Sequence, residues 1–181
     1  MKESFNISNI VAVSNKKNIT EVKPIKRHES IKWLSKEHHF GLLNSWKINK
    51  GINRGISINI IKNYVIFFWE NNLQQHFKEE EELLFNVIDD DKINSAIEQH
   101  TSIREKINTL YNGHADSLLL QQFAQELNDH IRYEERILFP FLEKALPLNQ
   151  LQQIGVALDS SHSNNYNENY PDEFWIRKND K

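Results

Sequence analysis

Hydrophobic residues recur every three or four positions along most of this 181-residue chain, the spacing that places them on one face of an α-helix. Four long helices are predicted from this spacing: residues 35–50, residues 54–88, from the acidic turn at 89–91 to Asn112-Gly113, and from Asp116 to just before Pro147. A fifth, shorter helix is predicted at 148–158. Because short connections between long amphipathic helices favour antiparallel neighbours, we predict an all-α, up-down-up-down four-helix bundle.

The two ends of the chain lack this periodicity. We interpret residues 1–27 as an irregular leader, residues 28–158 as the bundle, and residues 159–181 as a polar tail with aromatic residues. The aromatic residues indicate that the tail docks on the bundle or on a protein partner; they are Tyr166, Tyr170, Phe174 and Trp175. Within the fourth helix, Pro140 lacks a backbone N–H, so a kink or a lost hydrogen bond is expected there.

The composition narrows the chemistry that this chain can perform. It has no cysteine and eight histidines, which excludes disulfides, cysteine-ligated zinc, iron–sulfur clusters and thiol catalysis. The formal net charge of −3 lacks the basic excess expected of a nucleic-acid-binding protein. The longest apolar run, residues 64–69, is far shorter than the ~18 residues that span a bilayer, and the N-terminus is a poor signal peptide. We therefore expect a cytoplasmic protein with no nucleic-acid or membrane partner.

Two blocks of the sequence repeat one another, one from His76 to Phe85 and one from His130 to Phe139. Each contains a histidine, a glutamate four residues later, a second glutamate directly after it, and then Leu-Phe. The four-residue spacing places histidine and glutamate on one helix face, about 6 Å apart along the axis. Both pairs are in phase with apolar residues and therefore point to the core; the apolar residues are Leu73, Leu83 and Val87 for the first block, and Leu127, Ile137 and Phe141 for the second.

The other two long helices each carry a single histidine in core phase. His38 is in step with Leu34 and Leu42, and His100 is in step with residues 97, 103 and 107. A lone core histidine is more often structural, but four of them beside two buried carboxylates favour one metal ion or a pair. Nitrogen and oxygen ligands without sulfur suit iron or manganese, and zinc is also compatible.

The remaining residues of the two blocks are interpreted without a metal role. The other glutamates are predicted to be surface charge; they are Glu79, Glu81, Glu82 and Glu135. The aromatic residues near the histidines are predicted to fill the core; they are Trp69, Phe77, Phe85 and Phe139.

The chain resembles the hemerythrin-like (HHE cation-binding) family over roughly residues 31–146. The resemblance is carried by four motifs: Leu34-Ser35-Lys36-Glu37-His38, the HFKEE sequence at 76–80, Glu98-Gln99-His100, and the HIRYEERILFP sequence at 130–140. It implies a di-iron centre inside the bundle, formed by two iron ions with an oxo or hydroxo bridge, with manganese or zinc as substitutes. The implied metal ligands are His38, His76, Glu80, His100, His130 and Glu134, with the two glutamates bridging the ions. His39 is the alternative to His38 on the first helix.

One position departs from the pattern of the oxygen-carrying hemerythrins. Those proteins have a second histidine one turn after the third-helix ligand, where this chain has Arg104. A guanidinium does not coordinate a metal, so it either binds an anion near the centre or turns outward. The departure favours open-site redox chemistry or iron sensing over reversible oxygen carriage.

The resemblance implies a metal-binding carrier or sensor that binds O2, NO or a peroxide, or that senses iron or redox state. No catalytic residue is assigned. Two alternatives remain open at this stage: an enzyme that turns over peroxide or NO at the same centre, and an interaction module that uses its metal structurally and binds a protein partner through the tail.

Overall fold

The computed structural model describes residues 26–161 and 169–176, and within them every regular element is helical. The α-helices are α1 (Lys32–Asn53), α2 (Ile58–Phe68), α3 (Gln74–Glu79), α4 (Asp91–Tyr111), α5 (Ser117–Tyr133), α6 (Phe139–Ala145) and α7 (Leu148–Ser161). A π turn joins α2 to α3, and another joins α5 to α6, so that each pair forms one long helix of the bundle. α1 packs against α2 and α5, and α4 packs against the same two helices. These contacts close the predicted four-helix bundle.

The ends of the helices follow local capping chemistry in most places. The Asp90 side chain accepts a hydrogen bond from the Lys92 N–H at 2.9 Å, and Asp116 accepts one from the Leu119 N–H at 2.7 Å, as expected for N-caps. The first helix differs from its prediction at both ends. It begins before Ser35, because a 3₁₀ turn at Glu29–Ile31 leads directly into it, and it continues through Gly51.

Three π turns interrupt the long helices, at Trp69–Leu73, Glu80–Leu84 and Glu134–Leu138. A π turn contains one more residue than an α turn, so the residues that follow it are rotated by about 100°. As a result Leu84 and Leu138 are fully buried, whereas Ile137 is 47% exposed and Leu83 is only partly buried. The predicted core positions Leu83 and Ile137 are therefore wrong by one residue.

The core positions predicted next to the single histidines also need correction. Leu42 is 37% exposed and Ile97 is 39% exposed, because both lie at the edge of the apolar face. Gly41 and Ala96 occupy the inward positions instead.

Pro140 is the second residue after the third π turn and lies in the first turn of α6. The Phe139 N–H there reaches back five residues to the Glu134 carbonyl. The irregularity predicted near Pro140 is therefore a widened turn on its N-terminal side.

The apolar core consists of two clusters with a polar layer between them. The first includes Tyr64, Phe68, Phe77, Ile103, Phe123 and Leu127, and the second includes Leu34, Leu84, Ala96, Leu138, Phe139 and Leu142. On every long helix the inward histidine lies near the boundary between the residues of the first cluster and those of the second. The chain thus surrounds its polar layer with hydrocarbon above and below. α7 packs on the second cluster.

Residues 169–176 pack on the bundle at the end of the first cluster. Phe174 is 6% exposed and contacts Tyr64, with ring centroids 5.4 Å apart. Gly51 gives this ring its space, because a Cβ there would lie 2.6 Å from Phe174 Cε2. The Lys47 ammonium lies 3.9 Å from the centroid of the Trp175 ring. Of the tail aromatics, Tyr166 lies outside the described residues, as does most of the predicted leader. The domain boundaries at 27/28 and 158/159 remain predictions.

No helix in the described ranges is both long enough and apolar enough to cross a membrane.

Replacing Phe174 with alanine should destabilise the fold, because it removes a buried ring that anchors residues 169–176. We expect the free energy of unfolding, measured by urea denaturation, to fall by about 3 kcal/mol, the low end for a buried phenylalanine, since a terminal segment can detach. Trp46→Ala is the control: Trp46 is 51% exposed, and its removal should change the value by less than about 0.5 kcal/mol. Equal effects of the two variants would contradict the observed packing.

Candidate metal centre

The structure brings the six predicted side chains together in the middle of the bundle. Each is at most 3% exposed; they are His38, His76, Glu80, His100, His130 and Glu134. His39, the alternative on the first helix, is exposed and points away from this layer. The helix period alone explains this arrangement, because all six residues were in core phase in the sequence.

The two His-x-x-x-Glu pairs hold their partners at close range on a single helix face. His76 Nε2 lies 3.2 Å from Glu80 Oε1, and His130 Nε2 lies 3.2 Å from Glu134 Oε2. A π turn begins at each of these glutamates, whose carbonyl accepts a hydrogen bond from the N–H five residues later. π turns of this kind occur frequently at functional sites.

The side chains form two groups that share both carboxylates. One group contains His38, His76, Glu80 and Glu134, and the other contains Glu80, His100, His130 and Glu134. In each group the donor atoms lie within 4.8 Å of one another. The two carboxylates thus stand between two pairs of imidazoles, an arrangement that can hold two cations side by side.

Every histidine of the centre is oriented by a second residue on a neighbouring helix. The Nδ1 atoms lie at hydrogen-bond distance from side-chain oxygens: His38 with Glu135 at 2.7 Å, His76 with Glu37 at 2.9 Å, His100 with Glu81 at 2.7 Å, and His130 with Gln99 at 3.0 Å. An oxygen acceptor holds the proton on Nδ1 and leaves the Nε2 lone pair directed to the centre. This is the common arrangement of metal-binding histidines.

This outer ring corrects part of the sequence interpretation. Glu81 and Glu135 were predicted to be surface charge, but they orient two histidines, and their side chains are 30% and 16% exposed. Glu79 is also buried, whereas Glu82 is exposed as predicted. The second glutamate recurs at the same place in both blocks, and this repetition was the sequence signal that Glu81 and Glu135 share a role. Nothing in the sequence marked Glu37 or Gln99 by itself.

Each of the two outer glutamates is held by an arginine. Arg104 binds Glu81 through both nitrogens, at 2.8 and 3.0 Å, and Arg27 binds Glu135 at 2.8 Å. Arg104 was expected either to bind an anion near the centre or to turn outward. In the structure its guanidinium lies outside the centre. It contributes to the position of His100 through Glu81 rather than contacting the two carboxylates.

The aromatic residues near the histidines are buried, as predicted, and pack against the imidazole rings. Phe77 stacks on His100 with ring centroids 3.7 Å apart, and Phe139 stacks on His38 at 5.4 Å. Phe85 covers the other side of His100 at 5.6 Å. These rings exclude water from the centre and limit the rotation of the histidines.

The electrostatics of the layer favour a bound cation. No hydrogen bond reaches any of the four carboxylate oxygens of Glu80 and Glu134, although both residues are fully buried. Burial and the charge of Glu80 together raise the pKa of Glu134. Burial also opposes the charge of Glu80, but the neighbouring His76 outweighs it and holds the pKa of Glu80 well below its usual value. Since buried carboxylates without donors are costly, these oxygens fit coordination to metal ions.

A small cavity adjoins one side of the centre. It measures about 10 Å³, roughly the room that one water molecule requires. Its walls are formed by Glu37, His38, Gly41, Asn72, Leu73, His76, Phe77, Leu127, His130 and Ile131. Three of the four histidines of the centre, His38, His76 and His130, thus border this space.

Comparison with known protein families gives one match. The family model described as the hemerythrin HHE cation-binding domain matches residues 37–142, more than half of the chain. No curated protein and no solved structure matches the chain. All six residues of the centre lie inside the matched range.

Replacing Glu81 with alanine should weaken metal binding, because His100 loses the acceptor that fixes its ring. We expect the affinity for a divalent metal, measured by competition with a chelator, to fall about 10–100-fold. The adjacent Glu82→Ala is the matched control, since Glu82 is exposed and contacts no histidine of the centre. Indistinguishable affinities for the two variants would show that the outer ring has no role in metal binding.

Proposed function

The chain belongs to the hemerythrin HHE cation-binding family of metal-binding proteins, and from this premise we propose that it holds two iron ions and binds a small diatomic or peroxide ligand beside them. The observation that carries the proposal is the pair of buried carboxylates without hydrogen bonds, placed between two pairs of inward-facing imidazole nitrogens. The proposed ligands are the six residues of the centre, with Glu80 and Glu134 shared between the ions.

The donor set supports iron as the metal. Each proposed position has two imidazole nitrogens and two shared carboxylates, without sulfur. Such donors suit iron, with manganese and zinc as substitutes that metal analysis would detect. Bound iron would supply one-electron redox chemistry and coordination positions open to a small ligand. Because Arg104 pairs with Glu81, it adds no fifth protein donor to the position formed by Glu80, His100, His130 and Glu134.

The walls of the centre favour binding or sensing of a small ligand over turnover of a larger substrate. The cavity accommodates about one water-sized molecule, and most of its walls away from the metal ligands are apolar. Phe77 and Phe139 shield the histidines from water. Glu37 is the ionisable wall residue outside the six proposed ligands, and its carboxylate already pairs with His76 Nδ1. An enzyme that turns over peroxide or nitric oxide at the same centre is therefore our second candidate function.

Measuring the iron content of two variants tests whether His38 or its neighbour His39 is the metal ligand on the first helix. After growth with added iron, the wild type and the His39→Ala variant should each contain about two iron ions per chain, as expected for two groups of ligands. The His38→Ala variant should lose at least one, because it removes a nitrogen from one position. The measurement is metal analysis of the purified proteins, together with the near-ultraviolet absorption of iron. Fewer than about one iron per wild-type chain would refute the proposal.

The cavity can be narrowed at Gly41 without altering any proposed ligand. A Cβ at Gly41 would lie 2.6 Å from Ile131 Cδ1, so the Gly41→Ala variant must displace a side chain that also lines the cavity. We expect nitric oxide to bind the iron-loaded variant about tenfold more slowly in stopped-flow measurements, with iron content unchanged.

Adding Ile131→Val to Gly41→Ala provides a rescue, because valine lacks the Cδ1 atom that the new methyl group would meet. Binding by the double variant should return towards the wild-type rate. Unchanged rates in both variants would mean that the ligand does not enter this cavity.

A further inference from the structure

We propose that Asn72 is the hydrogen-bond donor of the cavity beside His38 and His76, and that its carboxamide selects a small ligand with an acceptor atom at its outer end. This inference rests on the proposed function, which supplies the iron and the ligand. It adds a specificity-determining residue that is not one of the six proposed metal ligands.

Asn72 is a buried polar residue without a protein partner. Asn72 lines the cavity, is 6% exposed and makes no side-chain hydrogen bond to any described residue, although its amide atoms are less completely shielded from solvent than those of Asn44. A buried amide normally has a partner, because taking it out of water without one is costly. Among the other cavity walls, Leu73 and Phe77 have no polar side-chain atom, and the Glu37 carboxylate already pairs with His76 Nδ1. The amide therefore fits a partner that enters the cavity from outside the chain.

The position of Asn72 follows from the second long helix. It lies in the π turn at Trp69–Leu73, four residues before His76, and so shares the face of His76 and Glu80. The preceding residue, Asn71, is exposed. The helix thus presents an amide, an imidazole and a carboxylate in successive turns toward the centre.

The positions equivalent to Gly41 and Asn72 on the other side of the centre carry different side chains. Ile103 follows His100 by three residues, as Gly41 follows His38, and Ile103 is fully buried. Glu126 precedes His130 by four residues, as Asn72 precedes His76, but Glu126 pairs with Lys106 at 2.7 Å. A surface pocket does lie on that side, lined in part by Gln99, Glu126 and His130, but the Gln99 carboxamide already pairs with His130 Nδ1 at 3.0 Å.

The charge at the cavity narrows the class of ligand. Glu37 lines the same cavity with a carboxylate. A free anion would meet this negative charge, whereas a neutral diatomic molecule would not. The amide N–H of Asn72 would then donate to the outer atom of a neutral ligand that gains electron density when it binds.

The test replaces Asn72 with leucine, which has nearly the same shape but no donor. Asn44→Leu is the matched control: Asn44 is fully buried, neither amide atom has a hydrogen-bond partner, and it does not line the cavity. In the metal-free proteins Asn44→Leu should raise the melting temperature, because it removes an unpaired buried amide, and Asn72→Leu should not lower it, because its amide has no protein partner to lose. In the iron-loaded proteins Asn72→Leu alone should weaken nitric oxide binding, by about tenfold, the loss of one hydrogen bond.

The N–O stretching frequency of bound nitric oxide provides a second readout, because a hydrogen bond to the outer atom changes it. It should shift in Asn72→Leu and stay at the wild-type value in Asn44→Leu. A wild type without iron, or without a response to nitric oxide, would refute the proposed function and this inference with it. Normal iron content with the same affinity and frequency in Asn72→Leu would refute the role of Asn72 alone. A lower melting temperature of metal-free Asn72→Leu would also contradict it, since the amide would then have a partner in the protein.

Discussion

The structure depends on two carboxylates and four imidazoles that are confined to one dry layer. Hydrocarbon lies on both sides of this layer, in the two apolar clusters, and no hydrogen bond reaches the oxygens of Glu80 or Glu134. Such a layer would be unfavourable without charge compensation, because buried carboxylates lose their hydration. The stacked phenylalanines, the outer ring of acceptors and the arginines that hold it all contribute to fixing the six side chains around a common centre.

The π turns connect the local backbone to this chemistry. A π turn begins at each shared carboxylate, so the residue after it, Glu81 or Glu135, is directed to a histidine of another helix. Each block therefore supplies an inward-facing carboxylate and the acceptor for a distant imidazole from two adjacent residues. The same turn also shifts the next buried position by one residue, so that Leu84 and Leu138 are buried instead of the residues before them. Orientation of the histidines and packing of the second apolar cluster are thus coupled through one feature of the backbone.

The two halves of the bundle have similar ligands but different surroundings. His38 and His76 correspond to His100 and His130, yet Glu37 has a carboxylate where Gln99 has an amide. Gly41 leaves space where Ile103 fills it. A repeat that arranges the six inward side chains symmetrically therefore leaves different spaces on its two sides, a small cavity beside Asn72 and a larger surface pocket beside Gln99.

The sequence by itself determined the four long helices and the inward phase of the six residues, because the helix period is a local property that apolar spacing reveals. It did not reveal Glu37, Gln99 or the outer role of Glu81, since each of these residues meets a histidine from another helix. It placed Leu83 and Ile137 in the core, because a regular period cannot show where a π turn adds a residue. The packing of Phe174 against Gly51 and the burial of Asn72 beside an open space likewise arise only when the helices meet. Tertiary structure decided these features because each depends on distances between segments that are far apart in the chain.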